Sequence, residues 1–185
     1  MAQRTAVVRE RAYGWADPVE MAHRAAGQNG LDFLRALAAG ELPAPPFART
    51  VGTRLAEVES GRVVFEFRPR EFHYNPIGGV HGGMIATLLD SAAGCAVQSL
   101  LPAGVGYTSL DLTVKFVHAI TVESGAAGPL RCTGAVTHLG GRTALAQAEL
   151  RGPDGRLYAT AVSSLLVLRP ESDPEPATSP SAVTA

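Results

Sequence analysis

The sequence has no charge surplus of either sign. Sixteen Lys and Arg stand against 17 Asp and Glu in 185 residues, a formal net charge of −1. That balance argues against an extended nucleic-acid footprint, which usually shows as a basic excess, and leaves room only for a local basic patch. Cysteine is scarce: Cys95 and Cys132 are alone, without metal-ligand spacing and without a His/Cys cluster around either. Two buried, reduced, structural thiols are expected. Uninterrupted apolar runs are also missing. The longest hydrophobic stretch, from Met84 to Leu101, is broken by Thr87, Asp90, Ser91, Gln98 and Ser99, whereas a membrane span needs about 20 apolar residues with almost no charge. The opening MAQRTAVVRERAYGW lacks the apolar core, about 7–15 residues long, of a secretory signal. A cytoplasmic protein with no membrane and no nucleic-acid partner is expected. There is no repeat, no Gly-Lys-Ser/Thr phosphate loop and no Gly-x-Ser-x-Gly nucleophile elbow.

What remains is an apolar-rich chain, 46% hydrophobic, long enough for one domain with extensions. Residues 1–46 are expected to form an N-terminal helical extension with a Pro-rich linker. Asp17-Pro18 opens a first helical pattern, Leu31 to Ala39 a second that stops at Gly40, and Leu42-Pro-Ala-Pro-Pro46 is stiff. Residues 47–169 form the domain. Arg54–Glu59 and Arg62–Arg68 alternate apolar and polar residues around Ser60-Gly61, as a hairpin does. A Gly-rich loop then leads into a long apolar helix that Pro102 closes. Four strand-like runs follow: Ser109–His118, Leu130–Leu139, Thr143–Arg151 and Leu157–Leu168. In the first of them Leu110, Leu112, Val114 and Phe116 share a face. A helix apolar nearly all round must be covered on most sides, so an α+β domain with a curved antiparallel sheet wrapped round one helix is expected. Residues 170–185, rich in Pro, Ser and acidic groups, are expected to form a disordered tail.

The segment from His73 to Asp90 carries more than packing needs. Asn75, Gly78, Gly79, His81, Gly82 and Gly83 crowd a loop that ends where the helix begins. Glycines admit close backbone approach, and the first helical turn offers unpaired N–H donors suited to a carbonyl or oxyanion. Asp90 lies about two turns into an apolar helix, too far along to cap it. Gly83, Thr87, Asp90 and Gly94 fall at i, i+4, i+7 and i+11, a small polar stripe that is either a wet face or a cleft wall. Gly82 and Asp90 are eight residues apart, about 12 Å along a helix. One substrate carbonyl hardly touches both groups of one chain, so a site shared between subunits is expected.

Asn75-x-x-Gly78-x-x-His81-Gly82-Gly83, with Asp90 seven residues beyond, resembles the signature of the PaaI-type (phenylacetic acid degradation) thioesterases. Those are hotdog-fold enzymes, in which an antiparallel sheet wraps a long helix. The likeness covers roughly residues 50–168. It implies an acyl-CoA thioesterase with Asp90 as nucleophile or general base and the Gly82 N–H polarising the thioester carbonyl. Asn75 would orient water or substrate from the facing side, and His81 would position the loop. Ser109 would stand close to the attacking water, with Thr108 adjacent and Gly83 beside the substrate. Gly140, Gly141 and Arg142, in a turn between two late strands, are candidates for contact with the coenzyme A phosphates; an ordinary hairpin turn explains them equally. The resemblance also implies a homodimer or a tetramer built as a dimer of dimers, and no cofactor beyond the coenzyme A of the substrate.

The chemistry suits these residue types, because a thioester is electrophilic enough for a carboxylate and an oxyanion site without a Ser-His-Asp triad. No metal is called for: His23, His73, His118 and His138 show no ligand spacing. Two other readings compete. One is a hotdog hydratase or dehydratase acting on enoyl thioesters; the other is a non-catalytic acyl-CoA-binding regulator. The acyl group, aromatic or aliphatic, and the carrier, coenzyme A or acyl carrier protein, are not legible in the sequence.

Overall fold

A computed structural model describes residues 7–170; most of the stretch expected to be a disordered tail, residues 171–185, lies outside them. The expected α+β hotdog architecture is what the chain adopts. Three short helices, α1 (Pro18–Ala26), α2 (Gly30–Ala39) and α3 (Pro46–Val51), precede the hairpin β1 (Thr53–Glu59) and β2 (Arg62–Phe67). After a one-turn 3-10 helix at Glu71–His73 comes the long helix α4 (Gly82–Gln98). The chain ends in β3 (Gly106–Ser109), β4 (Thr113–Phe116), β5 (Leu130–Leu139), β6 (Thr143–Arg151) and β7 (Leu157–Leu168). The strands form one antiparallel sheet in the order β1-β2-β5-β6-β7-β3, with β4 also paired to β7.

The sheet curls round α4 because both surfaces are apolar. Leu88, Leu89, Ala92, Ala96 and Val97 of the helix are fully buried, and burying each leucine is worth about 1.5–3 kcal/mol. β6 alternates strictly, sending Ala144, Ala146, Ala148 and Leu150 inward. Close contact with β5 requires glycine, since a Cβ on Gly134 would fall 2.0 Å from the Ala92 carbonyl oxygen. The helix stops at Gln98, before Pro102. Ser99 ends it: its hydroxyl donates to the Ala96 carbonyl and accepts from the Gly61 N–H of the β1–β2 turn.

The N-terminal helices are docked on the domain. Asp17 and Asn29 cap α1 and α2 through their side chains. Phe33 and Leu34 are buried, and Gly30 donates to the Leu101 carbonyl at 2.9 Å. α3 was not foreseen, because the proline cluster before it looks like a rigid linker. Pro46 instead opens a helix, where a missing N–H costs nothing, and Gly52, with φ of 76°, closes it.

One expected strand is two. The run Ser109–His118 breaks between Ser109 and Thr113, where four residues advance against three on β7: Ser109 faces Leu165 and Thr113 faces Val162. Asp111 makes the bulge. Its carboxylate accepts the Ser164 N–H at 3.0 Å and its carbonyl accepts the Ser163 hydroxyl at 2.7 Å, so a side chain replaces a ladder partner. The extra residue reverses the alternation. Tyr107 and Ser109 point inward with Val167 and Leu165, and so do Val114 and Phe116 with Ala161 and Ala159. Leu110 therefore does not share the inward face of Val114 and Phe116.

Candidate active site

The Gly-rich loop is held by its own polar groups. Asn75 Oδ1 accepts the Ile77 and Gly79 N–H groups at 3.0 and 3.2 Å, and Asn75 N–H donates to the Gly79 carbonyl at 2.7 Å. Gly78, with φ of 86°, takes the left-handed turn this requires. Asn75 thus shapes the loop with its oxygen, and its amide nitrogen has no acceptor among the described residues. His81 is the N-cap of α4: Nδ1 accepts the Gly83 N–H at 2.9 Å. That bond, together with the helical bonds from Met84 and Ile85 to the His81 carbonyl, leaves the Gly82 N–H alone in the first turn without an acceptor among the described residues. The positive end of the helix dipole adds to it. Asn75, Gly78, Gly79 and Gly82 line a cleft of about 370 Å³ whose other wall is the segment from Phe116 to Thr121.

A second constellation lies further along α4. Ser109 Oγ donates to Asp90 Oδ1 at 2.9 Å, and Asp90 is half-buried. The stripe expected on this face is partly wet and partly covered. Gly83 is exposed and Thr87 half-buried, with its hydroxyl on the Gly83 carbonyl. Gly94 is buried under a phenol, and a Cβ there would fall 2.5 Å from Tyr107 Oη.

Tyr107 escaped the sequence reading. It lies two residues before Ser109 on the same face of β3, which was the available signal. Its hydroxyl has no protein partner among the described residues and stays protonated, because burial, with the neighbouring Cys95 and Asp90, pushes its pKa up. Cys95 is raised to about 12 by burial and by the Asp90 charge, so it is a thiol at neutral pH and no nucleophile.

The remaining residues are placed as follows. Thr108 pairs with Leu166 on the outward face of the sheet, opposite to the face Ser109 presents to Asp90. Gly140, Gly141 and Arg142 form the β5–β6 turn. That turn sits at the same end of the sheet as β3, since Leu166 pairs with Thr143 on one side and Thr108 on the other. Arg142 is exposed. Within one chain the structure brings Asp90 to Ser109 and Asn75 to Gly82, but the two pairs lie at different levels of α4. Among the described residues no His, Cys, Asp and Glu side chains gather as three metal ligands would, and no helix is long and apolar enough to cross a membrane.

A helix sheathed by a curved antiparallel sheet, with a Gly-rich cap at one end and a lone carboxylate midway, defines a hotdog-fold protein. Residues 77–159 match the model of the thioesterase superfamily. A protein of Saccharolobus solfataricus with a provisional esterase name is 28% identical over 116 residues, 63% of this chain and 79% of the relative. Among solved structures, a phenylacetic acid degradation-related protein of Ralstonia eutropha JMP134, provisionally a thioesterase, superposes with a TM-score of 0.63. It is 27% identical, over 72% of this chain and 98% of that one. The E. coli PaaI protein of the phenylacetic acid degradation operon gives 0.61 at 22% identity, over 77% and 93% of the two chains, a likeness of fold. The PaaI-type resemblance seen in the loop motif is thus shared by the whole domain.

Proposed function

We propose that this chain is a cytoplasmic acyl-CoA thioesterase that releases free acid and coenzyme A at sites shared between two copies of itself. The observation that carries this reading is the separation on α4 of an acid pair, Asp90 with Ser109, from a donor pair, Asn75 with Gly82. They are eight residues, about 12 Å, apart, too far for one carbonyl. A partner running antiparallel brings its Gly82 to this chain's Asp90. The edge formed by β3 and β4 favours such pairing: Leu110 and Phe116 are 58% and 57% exposed there, an apolar edge that a lone sheet would not leave open.

In that arrangement the Gly82 N–H polarises the thioester carbonyl and stabilises the oxyanion. Asp90 either takes a proton from the attacking water or attacks the carbonyl itself, giving an anhydride that water then opens. Ser109 holds the carboxylate in place, and the free amide nitrogen of Asn75 meets water or substrate from the facing side. Collapse of the tetrahedral adduct breaks the C–S bond: on the water route the departing sulfur takes the proton that Asp90 accepted, and on the anhydride route coenzyme A leaves as the thiolate and is protonated by the water that opens the anhydride. Arg142, exposed on the β5–β6 turn at the β3 end of the sheet, is suited to the coenzyme A phosphates.

Free-thiol release by the purified protein, over aromatic and aliphatic acyl-CoAs, tests the reading with Asp90→Asn as control. The amide keeps an oxygen for the Ser109 hydroxyl, so the variant folds, while turnover falls by about 10²–10⁴-fold, the usual worth of a general base. Undiminished turnover in that variant removes Asp90 from the mechanism. Absence of thiol release, with water added to an enoyl-CoA or with acyl-CoA merely bound, replaces the hydrolase with a hydratase or a regulator.

A further inference from the structure

The cleft beside Gly82 holds a titratable side chain that the proposed reaction leaves unused. The segment from Phe116 to Ile120 runs against the Gly-rich loop. Its Phe116 ring lies on Gly82, where a Cβ would fall 3.2 Å from Cζ, and the Ile120 carbonyl accepts the Val80 N–H at 2.8 Å. His118 falls between those two contacts and lines the cleft together with Asn75 and Gly82. No other residue lining the cleft is titratable.

The imidazole is held in one sense. Nδ1 lies 2.8 Å from the Leu157 carbonyl oxygen, which only accepts, so Nδ1 carries a hydrogen in either charge state. The Val117 and His118 N–H groups both donate to the Tyr158 carbonyl and hold the backbone beside that anchor. Nε2 is therefore the atom at which a proton comes and goes. It has no partner among the described residues, and the residue is exposed.

When a carboxylate attacks a thioester directly, the adduct can expel either of two groups. The carboxylate is the weaker base, since the ordinary pKa values are about 4 for a carboxyl and about 8.5 for a thiol. Unassisted, the adduct returns to thioester; a proton on sulfur removes that bias. Resting on the thioesterase reading, we infer that His118, in the chain whose Gly82 holds the carbonyl, is the catalytic acid for the departing sulfur on the anhydride route. As the C–S bond breaks, its electron pair takes the proton from Nε2. This leaves coenzyme A as the thiol, the anhydride on Asp90 and a neutral imidazole. Water then opens the anhydride: Nε2 takes one of its protons, the released acid leaves with the other, and Asp90 is a carboxylate again. The proton on sulfur still comes from that water, by way of His118, and the bare thiolate is avoided.

Thiol release from two thioesters of one acyl group tests this. One is the coenzyme A ester; the other is an ester of the electron-poor aryl thiol thionitrobenzoate, whose thiolate leaves without a proton. His118→Asn puts an amide nitrogen where Nδ1 stands, keeps the Leu157 bond and removes Nε2. It should lower kcat for the coenzyme A ester by about 10²-fold or more and that for the aryl ester by less than about threefold. His118→Gln, whose amide reaches the place of Nε2 but transfers no proton, should be as slow on the coenzyme A ester. Equal losses on both esters, an unchanged coenzyme A rate in His118→Asn, recovery in His118→Gln, or an aryl ester that the unaltered protein does not turn over each overturns the acid role. The thioesterase reading survives all of these as long as the unaltered protein hydrolyses the coenzyme A ester. No thiol from that ester removes the reading and this step with it.

Discussion

Ser109 and Asp90 meet at 2.9 Å across 19 positions of sequence, the serine from the short edge strand β3 and the aspartate from the middle of α4. The bulge at Asp111 makes the meeting compatible with the rest of the edge. Without the extra residue, either Ser109 or the Val114 and Phe116 pair would turn away from the helix. Two functions are thereby combined on one edge: orienting the carboxylate and presenting an apolar rim.

Ser109→Ala removes the one side-chain donor that the described residues give this carboxylate. Hydrogen bonds to charged groups are worth about 1.5–3 kcal/mol, so kcat should fall by about tenfold or more. KM should change less, because the serine acts through Asp90 and not on the acyl group. Steady-state kinetics with one good acyl-CoA substrate check this, and Ser109→Thr, which keeps the hydroxyl, should recover part of the loss. A variant with unchanged kcat would leave Ser109 no positioning role.

Gly134→Ala should be among the most destabilising single-methyl changes in the domain. The added carbon would lie 2.0 Å from the Ala92 carbonyl oxygen and 2.3 Å from its carbon, backbone atoms of the central helix that cannot rotate aside. Overpacking of this kind costs about 1–3 kcal/mol and occasionally more. Urea denaturation should show a clearly lower midpoint. A midpoint equal to that of the unaltered protein would mean that α4 and β5 are further apart than described.

Much of this was legible from the chain. The period-two alternation around Ser60-Gly61 and in the late strands marks the sheet, and the apolar run after the Gly-rich loop marks the helix it wraps. Asp90 and Gly82 stand out because a charge and an open turn have no packing use there. The break at Asp111 was not legible, since alternation continues through Leu110, Leu112 and Val114 and only the partner strand reveals the extra residue. Tyr107 was hidden for a related reason: its role depends on Gly94, a residue on another element that makes room for it.

His73 makes acid sensitivity part of the fold. It is buried at 2% exposure; Nδ1 accepts the Arg70 N–H at 3.0 Å, so Nε2 carries the proton and donates to the Val51 carbonyl at 2.7 Å. Burial holds its pKa below the ordinary value of 6.5, aided by the charges of Arg11 and Arg70 and partly offset by the Val51 bond. The unfolded chain therefore binds this proton more readily. Its contribution is complete above about pH 6.5 and is lost as pH falls below that value. Thermal melting followed from pH 7.5 to 5 should show a shallower decline for His73→Gln than for the unaltered protein. Parallel curves would rule the histidine out as the source of the slope.

The proposed sharing of the site between two chains makes a prediction that no single-chain site can meet. Gly82→Pro removes the free N–H at the first position of α4, where proline fits the helix, and His81, with ψ of 135°, already has the backbone a following proline requires. A Cβ at this position approaches Phe116 to 3.2 Å, so Gly82→Ala, which adds the carbon and keeps the N–H, is the control for bulk. Loss of one oxyanion donor should lower kcat by about 10²–10³-fold in the proline variant. Mixing equal amounts of Gly82→Pro and Asp90→Asn chains under conditions that exchange subunits should then restore activity. Half of the dimers formed are mixed, and each mixed dimer has one site with an intact Asp90 facing an intact Gly82, so recovery approaches about one quarter of the unaltered rate. If each chain carried its own complete site, every site in the mixture would retain one defect, and the mixture would be as inactive as its parts.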